Sequence, residues 1–377
     1  MFKFDFSGDD IDEADGPQER QKDESSAEDK SGDAKTVSVL KPAIYDISDL
    51  LQDLPSRLSY TLVPVNTSTG IKELPIPRRE VFDIKVQIMA DEDILPPSLN
   101  KSETEGETRE QFIKKELQIL LSNTEDLRTE LYEGGLKSWE GAGDLVEYLA
   151  EEKHAIGSGV LELGCGSALP SLYLFQKHLK SLKSGKSGAP IQTTSFILSD
   201  YNYSVLRLMT APNFLLAYYR ACVVSDAEPV ASQQDLDLEI TPDLISQFIE
   251  FLKANNIVVK FVSGSWESTE FSRLLGYDPL TNERMNYSLV LASETIYSLS
   301  TISTFTSLLL DCITYWGTSS ECTGALVAAK EIYFGVGGTV RQFIELVLKL
   351  GGHISTARRI AGRTSGVARV VLQVTKS

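Results

Sequence analysis

At residues 160–170 the chain reads Val160-Leu161-Glu162-Leu163-Gly164-Cys165-Gly166-Ser167-Ala168-Leu169-Pro170. An apolar run leads into two glycines at alternate positions, and a proline typical of a helix start follows. Glycine lets the backbone approach a ligand closely, and the N–H groups of a helix N-terminus suit a nucleotide. The stretch therefore predicts a strand, a glycine loop and a helix that form one wall of a nucleotide-binding site.

The spacing of the glycines separates this loop from two common nucleotide-binding loops. A dinucleotide fingerprint requires G-x-G-x-x-G/A, but Leu169 stands three residues after Gly166. A P-loop requires a lysine after its second glycine, and none follows here. With Glu162 two residues before Gly164, the loop reads E-x-G-x-G, which resembles the first motif of S-adenosylmethionine-dependent methyltransferases. The motif alone leaves open an ordinary strand–turn–helix without a ligand.

Charge is distributed unevenly along the 377 residues. The net charge is −17, and residues 1–33 hold twelve acids and four bases. Such a segment buries too little apolar area to offset its ordering entropy, so we predict a disordered acidic tail at 1–35. The tail would act as a solubilising segment or as a docking arm for a basic partner. An N-terminal extension and linker at 36–125 and a catalytic domain at 126–377 complete the predicted organisation.

Composition also restricts the classes of partner. An acidic chain is a poor match for a nucleic-acid phosphate backbone and is compatible with a basic protein substrate. The four cysteines and three histidines show no zinc-site spacing, and Cys165 is expected to be a packing residue. The sequence contains neither a signal-peptide pattern nor an apolar run of membrane-spanning length. We therefore expect an intracellular protein with no metal and no membrane partner. We also expect a monomer that is located in the cytoplasm and nucleus.

Alternating strand and helix patterns fill the second half of the chain. Predicted strands lie at 160–163, 195–199, 257–263, 287–292, 325–329 and 367–374, and predicted helices at 144–149, 205–219, 301–316 and 340–350, with a further helix that starts at Leu169. Thr241 and Pro242 form a helix N-cap and first helical position. Upstream, we predict a strand at 80–88, a charged linker at 102–110 and a helix at 111–121. A lysine-rich loop at 177–186 and an acidic insertion at 225–239 have no evident role. The pattern predicts an α/β fold with a mostly parallel sheet and helices on both faces.

Polar residues follow four successive strands of this sheet. The strand ends read Glu162-Leu163-Gly164, Asp200-Tyr201-Asn202, Gly264-Ser265-Trp266 and Ser293-Glu294-Thr295. Open parallel sheets bind ligands at the carboxyl ends of their strands, so these residues are expected to share one site.

Each strand end suggests a role in a methyl-transfer site. Asp200 suits the two ribose hydroxyls, with a helix N-cap as the alternative. Tyr201, Asn202 and Trp266 suit the adenine, and a core position is the alternative for Trp266. Glu162 would face the ammonium of the methionine part of the cofactor. Glu294 and Tyr297, spaced E-x-x-Y, could orient an N–H of the acceptor and accept its proton, or be a surface carboxylate and a buried tyrosine.

Two further segments are unusual for plain connections. Residues 132–141 place a tryptophan between a serine and a glutamate after two glycines, and residues 333–338 place two aromatics before a glycine-dense turn. We predict that residues 333–338 form either a loop that fits against a substrate or a hinge that has no chemical role.

Together these motifs resemble the eukaryotic protein-histidine N-methyltransferases, seven-strand enzymes that modify a histidine of a large-subunit ribosomal protein. The resemblance covers 126 to the C-terminus, and upstream only Arg78-Arg79-Glu80-Val81-Phe82-Asp83 is similar. It implies a Rossmann-like class I fold, S-adenosylmethionine as cofactor, and transfer to the distal (tele) imidazole nitrogen. By position it implies cofactor contacts from Lys137, Ser138, Trp139, Glu140, Gly141, Gly164, Asp200, Tyr201, Asn202, Gly264, Ser265, Trp266 and Ser293, to which the residues themselves add Glu162 and Gly166.

The chain departs from the pattern at two positions and leaves two other functions open. Glu162 replaces the aspartate found in many such enzymes, and Ala168 replaces a frequent third glycine. E-x-G-x-G and E-x-x-Y also occur in lysine methyltransferases of the same fold, which must first discharge an ammonium. The remaining alternative is a non-catalytic, methyltransferase-like module in ribosome assembly.

Overall fold

Consecutive apolar residues let a strand bury both of its faces, and β4 at the centre of the fold is buried at every position. The computed structural model describes residues 41–68, 70, 73–90, 135–154, 156–184, 193–224, 236–279, 281–316, 324–333, 337–361 and 367–376. All of them belong to one compact unit, Val39–Ser377. The predicted acidic tail, the linker at 102–110 and the helix at 111–121 lie outside the described residues.

The strands are β1 Ala43–Asp46, β2 Arg57–Val63, β3 Ile76–Arg79, β4 Gly159–Leu163, β5 Thr194–Asp200, β6 Leu236–Glu239, β7 Ile257–Ser263, β8 Tyr277–Asp278, β9 Glu283–Arg284, β10 Leu289–Ser293, β11 Ala325–Lys330, β12 Gly352–Ile360 and β13 Arg369–Lys376. The helices are α1 Ile47–Leu50, α2 Val81–Ala90, α3 Glu140–Glu151, α4 Leu169–Lys183, α5 Ala211–Tyr218, α6 Pro242–Ala254, α7 Thr269–Gly276, α8 Ile302–Asp311 and α9 Val340–Lys349. Helical segments Tyr203–Val205, Leu206–Thr210 and Tyr219–Val223 flank α5, and Cys312–Trp316 follows α8; of these, all but Tyr203–Val205 are π-helical.

Eight strands form the main sheet in the order β1-β7-β5-β4-β10-β11-β13-β12. The five strands from β7 to β11 pair in parallel, whereas β1, β13 and β12 join antiparallel. Helices cover both faces of this sheet. Alternate residues of β4 point into opposite cores, with Val160 in one hydrophobic cluster and Leu161 and Leu163 in the other. The predicted α/β class I architecture is confirmed, and β1 adds an eighth strand at one edge.

A second, three-stranded sheet has the order β3-β2-β6 and carries Arg78 and Arg79 on its edge strand. Next to it, the predicted strand at 80–88 is wrong, because α2 occupies Val81–Ala90. Buried Arg79 explains the difference: its Nε donates to Asp83 at 2.7 Å and its Nη2 to Gln87 at 2.8 Å. Asp83 and Gln87 are four residues apart, which places them about one turn apart on a helix but about 13 Å apart on an extended strand, too far for one guanidinium to bind both.

The predicted loop at 177–186 is also wrong over its first part, since α4 continues to Lys183. Buried Leu172, Phe175 and Leu179 recur at helical spacing, so the lysines occupy the outer face of an amphipathic helix. Of the segment at 225–239, the last four residues form β6 and the others lie outside the described residues.

Other elements lie closer to their predicted positions. β7 has the predicted bounds, and the Thr241 hydroxyl accepts a hydrogen bond from the Leu244 N–H as the N-cap of α6. Strand β12 was not predicted, because its half-exposed sequence lacks an apolar alternation. Among the described helices, none has the length and apolar character that crossing a membrane requires.

Candidate methyltransferase site

The carboxyl ends of β4, β5, β7 and β10 meet at one pocket, as predicted for a parallel sheet. The described residues that line it are Gly135, Lys137, Ser138, Trp139, Ala142, Gly164, Cys165, Gly166, Ser167, Asp200, Tyr201, Ser265, Trp266, Glu267, Ser293, Glu294, Thr295, Tyr297, Thr301, Thr304 and Tyr333. Both predicted acid–base residues and most of the predicted cofactor contacts are therefore brought together.

The glycine loop after β4 is a tight wall of the pocket. Gly164 and Gly166 both have positive φ, at 63° and 50°. A Cβ on Gly164 would lie 2.9 Å from the Thr295 methyl group, so a side chain there would strain the loop and fill the space between strand ends. Both glycines are required by the backbone and by the pocket.

Asp200 joins the glycine loop to the end of β5. Its Oδ2 accepts the Gly166 N–H at 3.0 Å, and its Oδ1 accepts the Asn202 N–H at 3.0 Å. Burial raises the pKa of Asp200 to about 6, and the hydrogen bonds from these amides partly oppose this shift. The carboxylate is thus held in one orientation, and each oxygen keeps lone-pair capacity for a ligand hydroxyl.

Two residues that line the pocket have buried polar atoms without partners. The indole Nε1 of Trp266 and the hydroxyl of Thr295 are buried and have no hydrogen-bond partner among the described residues. The Trp266 ring packs on Phe305 with centroids 5.2 Å apart, which fixes its orientation. The pocket thus combines unpaired donors beside an aromatic ring, the Asp200 carboxylate as an acceptor for a diol, and the glycine loop. These groups fit S-adenosylmethionine, the cofactor that the family resemblance implies.

Glu294 lies opposite the glycine loop and is held at both carboxylate oxygens. Oε1 accepts the Gly141 N–H at 3.0 Å, and Oε2 accepts the Tyr333 hydroxyl at 2.5 Å. The residue has φ of +56°, a conformation that costs a non-glycine residue about 1 kcal/mol or more. Strain at a clamped carboxylate in a pocket is typical of a functional position.

The residues around Glu294 shift the pKa of its carboxyl group and leave no room for a side chain at position 141. Burial raises its pKa, while the Tyr333 hydrogen bond and the positive charge of Lys330 partly oppose that shift. A Cβ on Gly141 would lie 2.7 Å from Glu294 Oε1, so the predicted contact Gly141 acts here by accommodating the carboxylate. Tyr297 lies beside this cluster, with its ring 6.4 Å from the ring of Tyr333.

Five predicted cofactor contacts do not line the described pocket: Glu140, Gly141, Glu162, Asn202 and Gly264. Glu140 is exposed and paired with Lys330 and Arg369 at 3.5 and 3.4 Å. A Cβ on Gly264 would lie 2.6 Å from Pro42 Cα, so this glycine admits the N-terminal segment.

Glu162 is fully buried on the α4 side of β4. Its Oε2 accepts hydrogen bonds from the N–H and hydroxyl of Ser171, while Oε1 has no partner within the described ranges. Burial raises the pKa of Glu162 to about 7, against the lowering effect of the Ser171 hydrogen bonds. Its contacts link the strand to the first turn of α4 behind the glycine loop.

Replacing Glu162 with glutamine is expected to remove a pH-dependent cost in stability. The folded-state pKa is raised above that of the unfolded chain, so the folded state binds the proton more tightly and wild type loses stability as pH rises from about 4.5 to 7. We therefore expect the free energy of unfolding of the variant, relative to that of wild type, to rise by about 3 kcal/mol from pH 4 to pH 8. Chemical denaturation across this range measures the difference, with Glu239→Gln on the exposed face of β6 as control. A stability difference that is constant with pH would contradict the prediction.

Sequence reasoning missed several residues of the pocket. Tyr333 was noted as part of an unusual aromatic–glycine segment, but its bond to Glu294 spans 39 positions and no local pattern reports it. Thr301 and Thr304, around the first turn of α8, add hydroxyls to the acceptor side of the pocket. The E-x-x-Y spacing and the unusual segment at 333–338 are the two sequence features that point to this side.

Comparison with known proteins identifies the family. No protein-family model matches the chain. The chain is 35% identical over 321 aligned residues to histidine protein methyltransferase 1 of Saccharomyces cerevisiae. The alignment covers 81% of this chain and 77% of the yeast protein. The corresponding Schizosaccharomyces pombe protein is 31% identical, covering 86% and 83%. A magnesium protoporphyrin IX methyltransferase from Synechocystis with bound SAH is 12% identical with a TM-score of 0.32, covering 63% of this chain and 81% of that one. With this pocket and these relatives, the chain belongs to the eukaryotic histidine protein methyltransferase family.

Proposed function

We propose that this protein methylates the distal (tele) nitrogen of a histidine side chain in a large-subunit ribosomal protein. The observation that carries the proposal is the Glu294 carboxylate, held by the Gly141 N–H and the Tyr333 hydroxyl in the pocket of the glycine loop. S-adenosylmethionine supplies an electrophilic methyl group when it is bound. Asp200 would hold its ribose hydroxyls, and Trp266 would lie against its adenine.

The Glu294 clamp suits a neutral imidazole. Such a ring carries one N–H and one lone pair, and it predominates near pH 7. A carboxylate that accepts the proximal N–H fixes the tautomer and leaves the lone pair on the distal nitrogen. The same carboxylate stabilises the positive charge that develops on the ring and can take its proton. A lysine acceptor would first have to lose a proton from its ammonium, whereas a neutral imidazole presents its lone pair without that step.

The proposal of a ribosomal substrate rests on charge and on the family resemblance. The chain carries a net charge of −17, which favours encounter with a basic protein. Ribosomal proteins are made in the cytoplasm and assembled in the nucleus, so we propose both compartments as locations of the enzyme. Its role would belong to ribosome biogenesis and translation.

Transfer of labelled methyl into ribosomal proteins from cells that lack this gene tests the proposal. Purified enzyme and labelled S-adenosylmethionine should label one large-subunit protein, and amino-acid analysis should recover tele-methylhistidine. Recovery of the pros isomer would overturn the assigned nitrogen, and methyllysine would overturn the acceptor. Label in a non-ribosomal protein alone would overturn the substrate class.

A further inference from the structure

Arg78, on edge strand β3 of the small sheet, reaches toward the methyltransferase pocket. Its Nη1 donates to the Ser138 hydroxyl at 3.3 Å, and Ser138 lines the pocket. Its Nε is buried and has no hydrogen-bond partner among the described residues. Within the same part of the chain its Nη2 lies 3.8 Å from the carboxylate of Glu80, which already accepts the Thr61 hydroxyl at 2.6 Å. The guanidinium charge is therefore only weakly compensated.

The contact with Ser138 places a positive charge behind a pair of serine hydroxyls in the pocket. Ser138 Oγ lies 2.9 Å from Ser167 Oγ, beside the glycine loop. A guanidinium donates and never accepts, so Ser138 accepts from Arg78. Whichever serine donates to the other, one O–H remains for a group in the pocket. Arg78, Ser138 and Ser167 therefore present one hydroxyl donor that is backed by a positive charge.

The charges of the pocket show what such a chain could bind. Among its described lining residues, Asp200, Glu267 and Glu294 are acids, and Lys137 is the one cation. S-adenosylmethionine carries an α-carboxylate that needs a cationic or donor-rich partner. Lys137 is exposed, whereas the Arg78 side chain is 23% exposed and so acts through a lower dielectric.

We propose that Arg78, through Ser138 and Ser167, recognises the α-carboxylate of S-adenosylmethionine. Arg78 is a positioning residue: it orients the serine hydroxyls and places a positive charge behind them. A strand outside the main sheet thus completes the cofactor site. This inference concerns cofactor binding alone and does not depend on which amino acid receives the methyl group.

Calorimetric titration with two ligands tests this inference without any protein substrate. The ligands are S-adenosylmethionine and its decarboxylated analogue, which keeps the adenosine, the sulfonium and the amine. Wild type should bind the first more tightly. Arg78→Ala should weaken binding of S-adenosylmethionine by about 10- to 100-fold and leave binding of the analogue unchanged within about threefold. Ser138→Ala should show the same selectivity with a smaller loss.

Two controls separate recognition from folding. Arg57→Ala removes an arginine of the same small sheet, paired with Asp237 at 2.6 Å on the surface, and should change neither affinity. Equal weakening of both ligands by Arg78→Ala would assign a structural role and overturn the inference. Unchanged affinities would overturn it as well, as would selective loss in Lys137→Ala without loss in Arg78→Ala.

Discussion

Glu294→Gln is expected to lower kcat by about 10²- to 10³-fold while the affinity for S-adenosylmethionine changes by less than about threefold. The carboxylate accepts from both the Gly141 N–H and the Tyr333 hydroxyl. Glutamine offers one carbonyl oxygen and one NH2, so it loses the negative charge that stabilises a developing imidazolium. Single-turnover transfer to a histidine-containing substrate and calorimetric cofactor titration measure the two quantities.

Glu345→Gln on α9 is the matched control, because this glutamate is exposed and, in the part of the chain that the structure describes, pairs with Arg341 on its own helix. It should retain wild-type kcat. Tyr333→Phe removes the hydroxyl that donates to Oε2 and should lower kcat by about tenfold. A Glu294→Gln enzyme with kcat close to wild type would remove Glu294 from the chemistry.

Asp200→Ala is expected to weaken binding of S-adenosylmethionine by about 100- to 1000-fold. The variant loses the carboxylate that we propose accepts the ribose hydroxyls, and it leaves the N–H groups of Gly166 and Asn202 without this partner. Because burial raises the pKa of Asp200 to about 6, wild-type affinity should also fall as pH is lowered from 8 to 5. Protonation converts one acceptor oxygen into a donor in this range. Titration calorimetry at several pH values measures both effects.

Asp237→Ala is the control for Asp200→Ala, since it removes an aspartate from a surface pair with Arg57. It should bind the cofactor as wild type does. Thermal unfolding in the absence of ligand then shows whether Asp200→Ala remains folded. Affinity within threefold of wild type in a folded Asp200→Ala protein would contradict the assigned role.

The part of the fold that the sequence predicts well is the part governed by local patterns. Apolar strands followed by polar residues specify the parallel sheet and its carboxyl ends, which is why the sequence predicts that Asp200, Trp266 and Glu294 line one pocket, as they do in the structure. The strand at 80–88 failed because its alternation is compatible with a helix once Arg79 is buried. That burial depends on contacts with Leu208 and Asn213, more than a hundred residues away.

Long-range contacts also account for what sequence reasoning missed in the site. The partners of Glu294 come from α3 and from the segment after β11, and neither is marked by spacing. Glu162 illustrates the converse, because its place in the motif suggested a ligand contact while the pleat of β4 turns it toward α4. A motif identifies a loop, but the alternation of side chains along the strand determines which residues face the pocket.

Strand β1 has a consequence for how the protein can be shortened. Its four residues pair antiparallel with Lys260–Ser263 at the end of β7. Removing the N-terminal extension would leave that backbone edge unpaired, and an unpaired edge is a template for strand addition between molecules. A fragment that starts at 126 would therefore expose a self-association surface in addition to losing Arg78. Soluble production of the catalytic region requires a chain that begins before Ala43.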